Sequence, residues 1–187
     1  MTTAIAQNVA ASIPLRKIVG AAVISVHLLL GAAVNSAYAA GDHACDYLTR
    51  DEVAAVMGAP VGEVESHPAN PMGQSVCYFD IPAGLKIRFA QLQMVRSDWA
   101  AKAGTNWDAS SLFANNMSFL DGLQDASGIG ETAYWGGSGL KLGAGLHVLD
   151  QDVYITVQAT MGDEQSSLDT AKILARLVLE KAGHPQE

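Results

Sequence analysis

The chain contains only two cysteines, Cys45 and Cys77, and their spacing decides which chemistry they can carry out. They lie far apart along the chain, so they lack the close Cys-x-x-Cys spacing that lowers a thiol pKa in redox-active pairs. Two such thiols in an exported chain oxidise to a structural disulfide. We therefore predict a Cys45–Cys77 disulfide that ties the entrance of the first helix to the first core strand.

Four of the five histidines lie after residue 40, and their spacing does not favour metal binding. His43, His67, His147 and His184 are scattered along the chain. No HxH, HxxxH or paired-cysteine pattern is present, and structural zinc sites depend on such patterns. The sequence therefore predicts no metal site and no cofactor.

Candidate catalytic groups are equally sparse. Ser138 lies in a glycine-rich turn, but the surrounding segment lacks the final glycine of a nucleophile elbow. The carboxylate pairs Asp150 with Asp152 and Asp163 with Glu164 are too small for a recognised calcium loop, and turns and helix starts favour acidic residues anyway. We predict no catalytic residues, so the protein is not expected to be an enzyme.

One glycine motif resembles a dinucleotide-binding loop but lacks the secondary structure that such a loop requires on either side. The residues from Gly128 to Ala133 match Gly-x-Gly-x-x-Ala. A Rossmann loop needs a strand before it and a helix after it. Here Tyr134 and Trp135 follow in a β-type run, so we reject a nucleotide site.

The first forty residues have the features of an export signal. Arg16 and Lys17 precede an apolar run that extends to Val34, and Ala37-Tyr38-Ala39 is a small-x-small cleavage pattern. We predict a signal peptide over residues 1–40, cleaved near Ala39 or Ala40, and a periplasmic or secreted mature domain over residues 41–187. A retained transmembrane anchor is the alternative, because the run is close to bilayer length.

The predicted mature chain is strongly acidic. Loss of Arg16 and Lys17 leaves nine basic against 19 acidic side chains, a formal charge of −10 compared with −8 for the whole chain. Such a chain is a poor ligand for nucleic acids or anionic membranes. Its charge would suit a basic secreted or periplasmic protein, although a solvated acidic surface also simply maintains solubility.

The first helix is the most clearly marked element of the chain. Thr49 and Glu52 are spaced to form a capping box at its start. Gly58 stands where a left-handed residue ends a helix, and Pro60 follows. We therefore predict a helix that begins after Thr49 and ends before Gly58.

The remaining periodicities predict an α+β fold. A final helix is expected to start near Ser166, with an apolar stripe at helical spacing that packs on the sheet. We predict one domain with a mainly antiparallel sheet, helices packed on one face and one disulfide. Strands are expected where apolar and polar residues alternate or β-formers cluster, at residues 76–79, 85–90, 133–135 and 153–159.

Residues 105–127 combine large apolar side chains with asparagines, serines and glycines. Either this segment covers the sheet or part of it is a contact surface; exposed aromatic residues would mark a binding site. The candidate contact residues of the chain are the aromatic side chains Trp99, Trp107, Tyr134 and Trp135.

Taken together, these motifs resemble those of small secreted or lipid-anchored bacterial domains of unknown function. The resemblance rests on Cys-x-x-Leu-Thr-x-x-Glu-Val from Cys45 to Val53, on Cys77-Tyr78, and on the Gly-x-Gly-x-x-Ala segment. It implies the fold and carries no catalytic residues. Asp42 and His43 depart from the lipobox of the lipid-anchored members, and this departure predicts a protein without a lipid anchor.

The sequence therefore favours an exported, non-catalytic binding protein. An inhibitor, immunity or accessory protein that binds another protein is the first hypothesis. A carrier of a small apolar ligand, held between sheet and helix, is the alternative, and a hydrolase that uses Ser138 or a histidine is the least favoured. The oligomeric state is left open.

Overall fold

A computed structural model describes residues 43–84, 86–137 and 144–184. The described residues all belong to one compact unit. The predicted signal peptide, residues 1–40, and the candidate nucleophile Ser138 lie outside the described residues.

The centre of the fold is one antiparallel sheet of seven strands, in the order β1-β2-β3-β7-β6-β5-β4. This sheet and its helices confirm the predicted single α+β domain. The strands are β1 (Val64–His67), β2 (Gln74–Asp80), β3 (Phe89–Arg96), β4 (Gln124–Asp125), β5 (Thr132–Gly137), β6 (Ala144–Asp150) and β7 (Val153–Ala159).

Four α-helices accompany the sheet in the described part of the chain: α1 (Arg50–Met57), α2 (Ser97–Lys102), α3 (Ala109–Met117) and α4 (Glu164–Lys181). The predicted capping box of α1 is confirmed, since Thr49 Oγ1 accepts from the Glu52 N–H and Glu52 accepts from the Thr49 N–H. Gly58 ends α1 with φ of 64°. No described helix has the length and apolar character needed to cross a bilayer.

One face of the sheet, here called the covered face, is buried beneath helices. α4 lies against β6 and β7, and α1 packs against α4. Lys181 Nζ donates to Glu52 Oε2 at 2.6 Å and links the end of α4 to the start of α1. The sheet residues of this core are apolar and fully buried, among them Cys77, Leu92, Met94, Leu146, Val148, Ile155 and Val157.

The opposite face, here called the open face, has a smaller cover. α3 packs across one part of it, where Ala109, Leu112 and Phe113 bury Val95 and Tyr154. Phe113 meets the Tyr154 ring edge-on, with centroids 5.3 Å apart. A helix therefore lies on each side of the sheet, with the larger apolar core on the covered face.

The predicted disulfide is present and joins Cys45 to Cys77, whose Cα atoms are 5.0 Å apart. Cys45 lies in a 3₁₀ turn (Ala44–Asp46) just before α1, and Cys77 lies in β2. Because disulfides persist in oxidising compartments, this bond indicates a non-cytoplasmic environment.

The start of β3 differs from the sequence-based expectation. Alternation predicts a strand over residues 85–90, but β3 begins only at Phe89. Ile87 is 75% exposed instead of buried. Arg88 turns back to donate to the Met57 carbonyl at the end of α1, so this stretch serves as a loop that caps a helix.

Candidate functional site

The open face carries polar side chains across the middle of the sheet. Gln93 of β3 pairs with Thr156 of β7, and Thr156 pairs with His147 of β6. Gln91 and Gln158 form the next cross-strand pair. Because side chains alternate between faces along a strand, these residues point away from the covered face, whose neighbouring positions are apolar.

These polar residues line a groove of about 570 Å³. The loop after α3 contributes Phe119 and Leu120, and the segment before β3 contributes Ile87. The sheet supplies the other lining residues, apart from Asn116 of α3; they are Tyr78, Phe89, Gln91, Gln93, His147, Tyr154, Thr156 and Gln158.

The groove has aromatic surfaces as well as polar ones. The rings of Tyr78 and Phe89 stack with centroids 5.4 Å apart. Among the described residues, Phe119 and Ile87 are the most exposed large apolar side chains, at 78% and 75%. Apolar side chains of this size are normally buried, so their exposure at one groove is a feature of binding sites.

A hydrogen-bonded cluster lies at the end of the groove nearest α3. The Tyr154 hydroxyl is 3.0 Å from His147 Nδ1, and Thr156 Oγ1 is 3.2 Å from the same nitrogen. Asn116 Nδ2 donates to the Tyr154 hydroxyl oxygen at 3.1 Å, and Thr156 Oγ1 donates to it at 3.2 Å. The side chain of Asn116 thus connects α3 to the cluster.

Burial sets the protonation states in this cluster. Desolvation lowers the pKa of His147 from its ordinary value of 6.5 to about 4, so the imidazole is neutral at neutral pH. Burial also raises the pKa of Tyr154, whose hydroxyl therefore keeps its proton. The cluster is an uncharged hydrogen-bonding unit.

The aromatic candidates from the sequence lie in different environments. Trp99 and Trp135 are core residues with 3% and 2% exposure, and Trp135 Nε1 donates to Glu164 Oε1 at 3.0 Å. Tyr134 stacks on Phe113 at the open face. Trp107 is 45% exposed and is the candidate whose ring is most available to a partner.

The other histidines do not join His147. His43 is near Ser66, with 3.4 Å between Nδ1 and Oγ. His67 lies near Glu65, and His184 lies near Asp150 and Asp152. Across the described ranges, no group of three or more His, Cys, Asp or Glu side chains is placed to hold a metal ion.

Sequence reasoning missed the groove, although part of its signal is visible in the chain. The outer positions of the clearest strand, β7, are Tyr154, Thr156 and Gln158. A tyrosine, a threonine and a glutamine at alternate positions of a strand are typical of a face that contacts a polar ligand or water. His147 could be assigned to the same face only with the β6–β7 register, which is a non-local property.

Comparison with protein family models, with curated proteins and with solved structures finds no match to this chain. The resemblance to small secreted bacterial domains stays a prediction, and the candidate site rests on its own geometry.

Proposed function

We propose that this protein is an exported, non-catalytic binding protein that holds a small organic molecule in the groove on the open face. The observation that carries the proposal is the position of Phe119 and Ile87. These two side chains are the most exposed large apolar groups in the described ranges, and both border the same groove. Burial of such groups by a ligand would recover the hydrophobic free energy that the free protein forgoes.

The size and chemistry of the groove support a small molecule. Its volume of about 570 Å³ is in the range that accommodates drug-sized ligands. Aromatic and aliphatic walls with a few convergent polar groups are the usual composition of such sites. This composition favours an amphipathic molecule, which refines the sequence-based hypothesis of an apolar one.

Export is part of the proposal and is supported by two observations. The Cys45–Cys77 disulfide indicates an oxidising environment. The N-terminal segment has the charge, apolar run and cleavage pattern of a signal peptide. Both features support a mature protein in the periplasm or outside the cell.

A protein partner is the second candidate function. Trp107 and the groove rim offer exposed aromatic and apolar surface, and the predicted mature charge of −10 would attract a basic protein. Trp99 and Trp135 are core residues and would not contact such a partner directly.

Mass spectrometry of the protein purified from the secreting cell distinguishes these functions. We expect cleavage near Ala39 or Ala40, a mass two hydrogens below the dithiol, and a small-molecule adduct that is lost on denaturation. The Gly145→Leu variant would place a large side chain against Thr156 and Gln158 of the groove lining, so its adduct should disappear. The matched control is Ile173→Ser on α4, which lies outside the groove lining and should retain the adduct.

Two outcomes would contradict the proposal. A stoichiometric protein companion without a small molecule would favour the protein-binding function. An adduct retained equally by Gly145→Leu would place the ligand elsewhere in the protein.

A further inference from the structure

His147 lines the groove and has one hydrogen-bonding atom without a partner. Its side chain belongs to a residue only 7% exposed, yet Nε2 has no hydrogen-bond partner. Buried polar atoms in native proteins are almost always paired, and an orphaned one is costly. An unpaired imidazole nitrogen in a groove wall therefore points to a missing ligand atom.

The surrounding hydroxyls assign the proton on the ring. Asn116 and Thr156 both donate to the Tyr154 hydroxyl oxygen, which occupies its two lone pairs. The Tyr154 hydrogen is then directed to His147 Nδ1, 3.0 Å away. Because a neutral imidazole has one donor and one acceptor nitrogen, this arrangement favours the tautomer in which Nδ1 accepts and Nε2 carries the proton. The unpaired atom is therefore a donor, and it requires an acceptor.

Gly145 leaves the position beside that donor without a side chain. A Cβ atom built on Gly145 would lie 3.5 Å from His147 Nε2, 3.5 Å from Gln158 Cγ and 3.2 Å from Thr156 Cγ2. Any larger residue would therefore occupy the space beside the donor. The backbone of Gly145 has no positive φ, so the absence of a side chain matters for space and not for conformation.

The groove lining favours an uncharged ligand. In the described part of the chain, its lining contains no Asp, Glu, Lys or Arg. A buried ion without a partner charge is strongly disfavoured. Gln91, Gln93 and Gln158 offer neutral donors and acceptors instead, and Tyr78, Phe89 and Phe119 offer apolar surface.

We propose that the ligand is an uncharged molecule with an aromatic or other apolar body and a carbonyl-type oxygen that accepts a hydrogen bond from His147 Nε2. This inference rests on the proposed function of the groove and adds the chemical class of its ligand. The apolar body lies against Tyr78, Phe89 and Phe119, while the glutamines position further polar groups.

Fluorescence titrations with three related probes test this inference. Prodan is a neutral aryl ketone, dimethylaminonaphthalene keeps its ring system without the ketone, and anilinonaphthalene sulfonate is an anion. We expect prodan to bind with one-to-one stoichiometry, and the compound without the ketone to bind about tenfold more weakly, as loss of one buried hydrogen bond implies. The sulfonate should bind more weakly than prodan.

Variants connect the preference to His147. His147→Phe should remove the tenfold preference for the ketone and shift bound prodan emission to shorter wavelength, because the carbonyl loses a donor. Gly145→Ala keeps the histidine and should reduce prodan affinity, because its methyl group would lie 3.5 Å from Nε2 and occupy the position of the acceptor. His67→Phe is the matched histidine control, because His67 lies on the edge strand β1 outside the groove lining, and it should change neither result.

The outcomes separate this inference from the proposed function. Equal binding of prodan and dimethylaminonaphthalene, still weakened by Phe119→Ser, would overturn the acceptor inference and leave the groove as a binding site. Tighter binding of the sulfonate would overturn the requirement for an uncharged ligand. Binding of the probes that is insensitive to Phe119→Ser, or no binding up to their solubility limits, would contradict the proposed function as well.

Discussion

The two faces of the sheet differ although the same strands form them. On the covered face, Leu92 of β3 and Val157 of β7 pair and are fully buried beneath helices. The adjacent residues of the same two strands, Gln93 and Thr156, pair on the open face and line a groove. Stability therefore depends mainly on one face, and the other is free to carry a binding site.

This division has a physical reason. A sheet needs only one well-packed apolar face to be stable, because antiparallel sheets tolerate a solvated second face. α3 covers only part of the open face, and the polar cluster beside it is held by Asn116. A rigid strand scaffold with a partial helical cover is well suited to hold a ligand without rearrangement.

The largest expected effect on stability is at Leu92, whose neighbour Gln93 points to the opposite face of the sheet. Leu92→Ala should lower the free energy of unfolding by about 4 kcal/mol, because it leaves a cavity in the main core. Gln93→Ala should change it by less than about 0.5 kcal/mol, since the side chain borders an open groove. Urea denaturation of both variants provides the test. Similar losses at the two positions would contradict the division.

The disulfide should stabilise the covered face without shaping the groove. Replacing Cys45 and Cys77 by alanine should lower the free energy of unfolding by about 3.7 kcal/mol, the chain-entropy value for a loop of this length. Prodan affinity, measured where the variant is still folded, should stay within about twofold, because neither cysteine lines the groove. A large loss of affinity would show that the two faces are coupled.

The pH dependence of stability should report the buried imidazole of the open face. The pKa of His147 is about 4 in the fold and 6.5 ordinarily, so the unfolded chain takes up the proton first. Proton uptake by the unfolded chain therefore lowers the free energy of unfolding. The loss begins near pH 6.5 and reaches roughly 3 kcal/mol as the pH falls to 4.

The measurement is denaturant unfolding between these pH values, with His147→Phe as the comparison. The wild type should lose roughly 3 kcal/mol more than His147→Phe over this interval. His67→Phe should follow the wild type. Parallel curves for the wild type and His147→Phe would mean that the imidazole is not desolvated.

The smallest effect on stability is expected at the groove rim. Phe119→Ser should leave the free energy of unfolding within about 0.5 kcal/mol, because the ring is already exposed. It should nevertheless weaken prodan binding about tenfold, through loss of apolar contact. Ile173→Ser, an exposed apolar residue of α4, is the control and should alter neither quantity.

Elements with local signals could be predicted from the sequence. The capping box of Thr49 with Glu52 and the left-handed Gly58 define α1 within a few residues, and the structure confirms both. The start of α4 is less well predicted. The apolar stripe predicts a start near Ser166, but Asp163 accepts from the Ser166 N–H and the helix begins at Glu164.

Features that depend on distant residues could not be predicted. The alternation around Ile87 is typical of a strand, yet strand pairing begins only at Phe89 and Ile87 becomes an exposed rim residue. In the segment 105–127, α3 buries Leu112 and Phe113 against the sheet while Phe119 is exposed, and a contact role for the exposed part stays a prediction. The groove itself depends on a register across three strands, which no local pattern encodes.

Nuclear magnetic resonance of the side chains on the open face tests the central claim most directly. The measurement follows the imidazole nitrogens of His147 and the side-chain amides of Gln91, Gln93 and Gln158 while prodan is added. We predict that free His147 is protonated on Nε2, and that this nitrogen and the glutamine amides shift together in one saturable transition. Unchanged signals at these four residues, with shifts along α4 or at Trp107 instead, would contradict a ligand site on the open face.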